Sequence, residues 1–304
     1  MSGIITQSSF AKALWPGVNA WYGKAYNEYP VEWDKLFEKD TTNRAYVEDV
    51  GMTGLGLAAI KAEGAPIQYD SERQGFITRY TMVTYALGFI VTREAFDDDQ
   101  YDVVAPRRAQ GLAFSMRQTK ELIGANVYNR AVTAGFVGGD GVTMFNRNHP
   151  AINGPVQSNM PAVDVDLSEA ALEQAYIDIS LLKNDRGLQI SLVPQSIHIH
   201  PTYEFELARI MKSVGRVGTA NNDINALKEL NKFPKGMHIN HYFTDLDAWY
   251  IRTNAPHGLK YFERRADSFD MDNDFDTENA KFKAAARYAF GWTDWRGIYG
   301  CMGA

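Results

Sequence analysis

The sequence predicts an α+β fold, and three observations support this prediction. One strand pattern is far longer than an ordinary strand, one helical pattern is long and amphipathic, and shorter helices and strands follow without strict alternation. Strict alternation would favour a parallel sheet, whereas a mixture of this kind is typical of α+β proteins. The 304 residues are enough for two domains, or for one domain with extensions.

The first 45 residues predict an extended arm and not a domain core. Pro16 and Pro30 interrupt this segment, a short helix is predicted at residues 31–40, and aromatic side chains are spread along it. The glycines that follow and the polar run at 68–74 predict a turn, so the chain forms a hairpin whose returning strand is the long one.

The long strand is predicted from Phe76 to Thr92. It contains no proline, and most of its residues are β-branched or aromatic. At about 3.3 Å per residue it would span about 56 Å, whereas most strands have about 3 to 10 residues. A two-stranded ribbon is marginally stable in water and exposes an adhesive edge. We therefore expect a neighbouring subunit to cover the ribbon, and its outer part to be ordered only after assembly.

A long helix is predicted from Pro106 to Ala131, with a length of about 39 Å at 1.5 Å per residue. Apolar or weakly polar residues recur at helical spacing along it and should face the core of the subunit: Leu112, Met116, Thr119, Ile123 and Val127.

The second half of the chain predicts shorter elements. A helix is expected at 166–183 with Asp166 or Ser168 as its N-cap, then a strand at 188–200 and a helix that begins at Pro201. Further strands are expected at 237–243, 248–253 and 259–265. Residues 281–292 alternate between apolar and polar positions, which favours a strand, although their alanines keep a helix as an alternative.

Composition narrows the function classes. The net charge of −6 argues against a protein that coats nucleic acid, whose affinity would depend on basic charge. The N-terminus has no basic and apolar signal segment, and no stretch approaches 18 apolar residues, so neither secretion nor a membrane span is expected. The single cysteine, Cys301, fits a reducing compartment, and a nucleophilic role for its thiol is the less favoured reading.

One group of residues could present metal ligands. His198 and His200 share a face if they lie in a strand, and Glu204 could reach them from the following helix. No further acidic or histidine partner can be placed beside them from the sequence. Ordinary histidines at the end of a strand are therefore the favoured interpretation, and we predict no metal site.

Other motifs are weaker. The segment GLGLAA at 54–59 matches a dinucleotide fingerprint, but Gly64 and Pro66 would end the helix that this motif requires. The acidic segment at 270–279 lacks the glycine and the glutamate of a calcium loop. Asp97–Asp99 could act as acid and base, yet acidic residues before a helix are simply stabilising. We predict no catalytic residue and no cofactor.

Four segments carry a resemblance to a known family: YALGFIVTREAFDDD, RRAQGLAFSMRQTKELIGANVYNRA, GDGVTMFNRNHP and GWTDWRGIYG, which lie between residues 85 and 300. They resemble the tailed-bacteriophage major capsid proteins of the HK97 fold. The resemblance implies six regions: an N-terminal arm (1–46), an extended hairpin or E-loop (47–92), a peripheral domain with a spine helix (93–155), an axial domain (156–263), a return strand of the peripheral domain (264–293) and a C-terminal segment (294–304).

The resemblance also implies a function. Such proteins form hexamers and pentamers of an icosahedral head, assemble in the bacterial host cytoplasm and enclose double-stranded DNA, which they contact non-specifically. The expected partners are a scaffolding protein, because the chain has no room for a fused scaffolding segment unless one was trimmed, a portal protein and a decoration or cement protein. Some members join subunits by a lysine–asparagine bond, and Lys61 lies in the ribbon, but no residue is assigned to that chemistry.

Two alternatives remain at this point. An encapsulin-like nanocompartment has the same fold and encloses an enzyme cargo, and a neighbouring gene for a terminase, a portal or a protease would argue for the phage. A metal-dependent enzyme that uses His198, His200 and Glu204 belongs to a different class, and elemental analysis would separate it from both.

Overall fold

The computed structural model describes residues 19–92, 94, 101–215, 223–273 and 279–304. In chain order the helices and strands are α1 (helical at residues 19–26), α2 (Trp33–Leu36), β1 (Glu38–Thr41), β2 (Tyr46–Met52), β3 (Gln74–Thr81), β4 (Val83–Val91), α3 (Tyr101–Asn129), α4 (Glu169–Ser180), β5 (Pro194–Ile199), α5 (Glu204–Lys212), α6 (Ala226–Glu229), β6 (Met237–Ile239), β7 (Trp249–Thr253), β8 (Leu259–Asn273), β9 (Ala280–Trp292) and β10 (Ile298–Cys301). Short 3₁₀ turns occur at Pro201–Tyr203 and Trp295–Gly297.

The first sheet has four strands in the order β1-β8-β9-β4. β9 is antiparallel to both of its neighbours, and β1 joins the edge in parallel to β8. The alternation at 281–292 is that of a strand, as predicted, because Phe282, Ala284, Ala286 and Tyr288 are buried while the residues between them are not. A strand with partners on both sides and one covered face requires this period of two.

The first core lies between α3 and the first sheet. Leu112 and Met116 are buried, and Ile123 and Val127 pack against the same cluster, so the predicted apolar stripe is confirmed. Thr119 is half-buried, like Ile123 and Val127, and its hydroxyl donates a hydrogen bond to the backbone carbonyl of Ser115 in its own helix. The aromatic side chains of the arm also join this core: Tyr22, Trp33 and Phe37.

The second sheet has the order β10-β7-β5-β6 and a core of its own. Helices α4 and α5 supply Leu172, Ile179, Leu207 and Ile210 to it, and the sheet supplies aliphatic and aromatic residues. Of the two N-cap candidates for α4, Ser168 is the cap, because its side chain accepts a hydrogen bond from the backbone N–H of Ala171 at 3.2 Å.

The predicted strand from Phe76 to Thr92 is two strands that belong to different sheets. β3 pairs with β2 and forms the hairpin, and β4 pairs with β9 in the first sheet. The change of partner occurs at Met82, whose buried side chain packs with Tyr80 and Phe262. The expectation of one continuous ribbon strand is therefore wrong, because β4 belongs to the subunit's own first sheet, while the cover by a neighbouring subunit stays a prediction. β4 is the edge strand of this sheet, and its Val83, Leu87 and Ile90 side chains are 47–51% exposed, so β4, the hairpin and the connecting loop all present surface that a neighbour could cover.

Two helix boundaries also differ from the prediction. The structure describes α3 from Tyr101, five residues before Pro106, to Asn129, after which Ala131 closes a turn onto the carbonyl of Tyr128. The short helix expected at 31–40 is limited to α2, because Phe37 takes an extended backbone and the chain continues as β1. Asp97–Asp99 lie outside the described residues.

Among the helices that the structure describes, none combines the length and the apolar character that crossing a bilayer would require.

Candidate functional site

The loop at residues 53–73 is the most exposed apolar segment of the hairpin. It joins β2 to β3 without forming a strand or helix of its own, and Gly54 and Gly64 take positive φ values of 71° and 74°. Five large apolar side chains are between 58% and 102% exposed: Leu55, Leu57, Ile60, Ile67 and Tyr69. Clusters of exposed apolar residues commonly mark interaction surfaces. The helix that a dinucleotide motif at 54–59 would need does not form.

The base of the hairpin is anchored to the first sheet by a small apolar cluster. Tyr80 is 3% exposed and packs edge-on against Phe262, and Val47 and Ala289 pack against the same cluster. The hydroxyl of Tyr80 lies 2.7 Å from that of Thr293. The hairpin therefore leaves the sheet from a fixed position.

A polar network reinforces this anchor. The carboxylate of Asp49 in β2 accepts hydrogen bonds from Lys260 Nζ at 2.6 Å and from Thr293 Oγ1 at 2.9 Å, and His257 Nδ1 lies 3.5 Å away. Burial alone would raise the pKa of Asp49, but the hydrogen bonds from Lys260 and Thr293 outweigh it and lower the pKa. Asp49 therefore stays ionised and ties the hairpin to β8 and to the end of β9.

The far end of the loop contacts another part of the same chain. Arg186 lies in the turn between α4 and β5, and its guanidinium forms an ion pair with Asp70 and donates to the carbonyl of Ser71 at 2.6 Å. The hydrogen bond from Arg186, assisted by the backbone N–H of Gly56, lowers the pKa of Asp70 to about 2. The loop is thus bound to its own subunit through charged and polar groups.

These residues had no signal in the sequence analysis. Asp49 follows Glu48 in a strand, Asp70 lies in a polar turn, neither belongs to a motif with defined spacing, and Arg186 follows Asp70 by 116 residues. Contacts of this separation depend on how the sheets are arranged, which local periodicity does not report. In the sequence, the long strand pattern from Phe76 to Thr92 was the sign that the ribbon takes part in contacts between subunits.

The histidines that were considered as metal ligands have structural partners. His198 is buried in β5 with its Nε2 2.9 Å from Ser196 Oγ, and its ring centroid lies 5.1 Å from that of His238 on the adjacent strand β6. Burial is the main cause that lowers the pKa of His198 well below its usual value, and the charge of the neighbouring His238 lowers it further. Burial is also the main cause that lowers the pKa of His238, and the positive charge of Lys35 is the second cause.

The other two candidate ligands lie beyond the strand. His200 is the N-cap of the 3₁₀ turn, where its Nδ1 accepts a hydrogen bond from the backbone N–H of Thr202 at 3.2 Å. Glu204 is the first residue of α5. Within the described part of the chain, no group of three or more histidine, cysteine or acidic side chains is placed to hold a metal ion. The absence of a metal site stays a prediction.

We expect acid to destabilise the subunit through the histidine pair. An unfolded histidine titrates near pH 6.5. Because the folded pKa values of His198 and His238 are lower, the unfolded state binds protons first, so stability is complete above about pH 6.5 and falls below it. Urea denaturation of unassembled subunits at pH 8 and pH 5.5 measures this change. In the variant His198→Leu the stability should depend less on pH over this window.

The comparison at pH 8 is the internal control, because both histidines are neutral there and any difference between the proteins reflects packing alone. An equal loss of stability on acidification in the wild type and in His198→Leu would contradict the assignment.

Two remaining motifs gain no support as sites. Cys301 is buried in β10, where its Sγ accepts a hydrogen bond from the backbone N–H of Val165 at 3.2 Å, and burial raises the pKa of this thiol. A raised pKa disfavours the nucleophilic thiolate. The acidic segment at 270–279 begins within β8, and its residues 274–278 lie outside the described part of the chain.

Solved structures similar to this chain include a virus-like particle and a phage procapsid. The virus-like particle from Pyrococcus furiosus has a TM-score of 0.53 and 12% identity, with 94% of this chain and 98% of that chain covered. The procapsid of bacteriophage JBD30 has a TM-score of 0.52 and 14% identity, with coverages of 97% and 75%. A structure from Mycobacterium phage Adephagia has a TM-score of 0.53 and 12% identity, with coverages of 91% and 92%. At these identities the similarity shows the fold, which is the HK97-like α+β fold.

The family follows from the sequence profile. A family described as phage capsid protein matches residues 76–300, about three quarters of the chain. The chain belongs to this family of phage capsid proteins, and the resemblance to the tailed-phage major capsid proteins is confirmed. It is a capsid shell protein of the virion. None of the curated proteins compared with the chain matches it.

Proposed function

We propose that the chain forms hexamers and pentamers which close into an icosahedral phage head around double-stranded DNA. The loop at 53–73 is the observation that carries this proposal, because it presents Leu55, Leu57, Ile60, Ile67 and Tyr69 to solvent on a hairpin with an anchored base. Burying one such side chain completely contributes about 1.5–3 kcal/mol, and a neighbouring subunit can supply the cover. Repeated around a ring, this contact would join each subunit to the next.

The proposal includes the partners and the setting that such a head requires. Assembly takes place in the cytoplasm of the bacterial host, with a scaffolding protein, a portal protein and, on the finished shell, a decoration or cement protein. The net charge of −6 fits a shell that contacts its DNA weakly and without sequence preference. The division into arm, hairpin, peripheral domain and axial domain belongs to the proposal, except that the hairpin ends before β4, which pairs with β9 in the first sheet. No residue is assigned a catalytic, cofactor or metal role.

Electron microscopy of the purified protein tests the central claim. We expect closed shells with six-fold and five-fold clusters of subunits after assembly from dissociated chains. Elemental analysis of the same sample should find no stoichiometric metal. Subunits that remain monomeric under all assembly conditions, or that form only open sheets, would contradict the proposal.

A nanocompartment is the second candidate, because the similarity to the virus-like particle from Pyrococcus furiosus covers 94% of this chain. The two functions differ in what the shell contains. Particles isolated from the cells in which the chain is naturally made should protect double-stranded DNA against nuclease if the chain forms a phage head. Particles that contain a folded protein cargo and no protected DNA would favour the nanocompartment.

A further inference from the structure

One contact joins the exposed loop to its own subunit. The guanidinium of Arg186 meets the Asp70 carboxylate with both terminal nitrogens, and Nη2 also donates to the Ser71 carbonyl at 2.6 Å. A two-pronged arginine–carboxylate pair of this kind fixes orientation as well as position. It connects the loop of the hairpin to the turn that precedes β5 in the second sheet.

The Asp70 carboxylate also links the first half of the loop to its second half. It accepts a hydrogen bond from the backbone N–H of Gly56 at 2.7 Å, in the first half of the loop, and one from the backbone N–H of Ser71 at 2.8 Å, in the second half. A Cβ atom at Gly56 would lie 2.9 Å from Arg186 Nη1, so the absence of a side chain at this position leaves room for the guanidinium. Losing the ion pair would therefore release both halves of the loop from the turn that carries Arg186.

The turn that carries Arg186 is itself well ordered by hydrogen bonds. The side-chain oxygen of Asn184 accepts the backbone N–H groups of Arg186 and Leu188, each at 2.9 Å. The adjacent Asp185 pairs with the buried Arg296 at 2.8 Å. Arg186 thus projects from a fixed turn, and the movable partner in the contact is the loop.

The contact is polar and exposed, whereas the rest of the loop is apolar and uncovered. The Asp70 side chain is 44% exposed, and solvent-exposed ion pairs shift an equilibrium by only about 1.5- to 5-fold. Three apolar residues of the loop, Leu57, Ile60 and Tyr69, are at least 82% exposed. A surface that covered these residues would bind the loop more strongly than one exposed ion pair does.

We propose that the Asp70–Arg186 contact holds the loop against its own subunit before assembly and that a second copy of the chain displaces it. This inference rests on the proposed function. In the free subunit the contact keeps the apolar loop in one position and so slows its capture by other subunits. During assembly the neighbour covers the apolar side chains, and the ion pair opens.

Charge variants test the inference on the full chain. Arg186→Gln and Asp70→Asn remove the ion pair, and the double variant Asp70→Arg with Arg186→Asp restores a pair of opposite polarity. Light scattering follows assembly from dissociated subunits, and hydrogen exchange of residues 53–73 follows the loop in free subunits. We expect both single variants to exchange several-fold faster and to assemble about 2- to 5-fold faster than the wild type. The double variant should return towards the wild-type values.

Arg79→Gln is the matched control. Arg79 forms an exposed pair with Glu48 at 3.9 Å within the hairpin, and it does not contact the turn at Arg186. This variant should leave loop exchange and assembly rate unchanged. The same acceleration in Arg79→Gln would mean that a general change of charge is responsible, and the inference would be wrong.

Two further outcomes separate the inference from the proposed function. Slower or unchanged assembly of Arg186→Gln, with normal wild-type shells, would overturn the inference alone, because the contact would then support the shell or play no part in it. Failure of the wild-type chain to form any particle would contradict the proposed function, and this inference with it.

Discussion

A subunit in which residues 55–71 are replaced by a short Asn-Gly turn is expected to fold normally and to form no closed shells. The ends of the replaced segment are already adjacent, because the backbone N–H of Thr53 donates to the carbonyl of Arg73 at 3.1 Å and that of Arg73 donates to Thr53 Oγ1 at 3.0 Å. An Asn-Gly turn is suited to closing two antiparallel strands. None of the removed residues belongs to the two main cores.

The expected effect on assembly is all or none. The replacement removes five apolar side chains per subunit, each able to contribute about 1.5–3 kcal/mol when a neighbour buries it. Urea denaturation of free subunits should show a midpoint close to that of the wild type, while electron microscopy should show no shells.

Two controls identify the cause. The full-length variant Leu57→Ser, Ile60→Ser, Tyr69→Ser keeps the length of the loop and should also fail to close shells, because it removes the apolar cover. Arg186→Gln keeps the loop and removes only its contact with the same subunit, so this variant should still form shells. Normal shells from the shortened chain would show that the loop is dispensable and that other surfaces join the subunits.

The sequence predicted those parts of the fold in which local pattern and long-range pairing agree. The alternation at 281–292 identified β9 because this strand has hydrogen-bonded neighbours on both sides and one buried face. The apolar stripe of α3 was visible for a similar reason, since one face of a helix that packs on a sheet must be apolar at helical spacing.

The division between β3 and β4 could not be predicted in the same way. Residues on both sides of Met82 have strong strand preference, and nothing local marks where pairing passes from β2 to β9. The register Val83↔Tyr288 joins residues that are far apart in the chain. Only the three-dimensional arrangement of the sheets decides which half of the extended segment lies in the first sheet and which half forms the hairpin.

The polar contacts of the candidate site were hidden for a related reason. A carboxylate in a polar turn has many possible partners, and neither Asp70 nor Arg186 belongs to a motif with defined spacing. His198 shows the opposite case, in which a chemically suggestive spacing has a structural explanation, because the buried residue pairs with Ser196 and lies beside His238.

Arg296→Gln is expected to destabilise the subunit by about 3 kcal/mol at neutral pH, as for other buried ion pairs that lose one partner. Arg296 is 5% exposed and its guanidinium has three partners: the carbonyl of Lys183 at 2.8 Å, Asp185 at 2.8 Å and Asp294 at 3.2 Å. Glutamine cannot reproduce this set of donors or the positive charge. The variant would therefore leave two carboxylates close together without their cation.

The loss should be smaller in acid, and its sign follows from Asp294. Burial raises the pKa of this carboxyl in the wild type, and Arg296 opposes that effect. Without the guanidinium the folded pKa rises further, so the ionised carboxyl destabilises the folded variant at neutral pH. Unfolded aspartate titrates near pH 3.9, and the penalty therefore declines as the pH falls from neutrality towards that value.

Urea denaturation of unassembled subunits at pH 7 and pH 4.5 measures both effects, and Arg147→Gln is the matched control. Arg147 pairs with Asp164 at 2.8 Å, but both side chains are 39% exposed, and an exposed pair contributes about 0–1 kcal/mol. We expect a large difference between the two variants at pH 7 that narrows at pH 4.5. If Arg296→Gln costs no more than Arg147→Gln, or costs the same at both pH values, the buried carboxylates do not need Arg296, and the turn that carries Arg186 is held in place by other contacts.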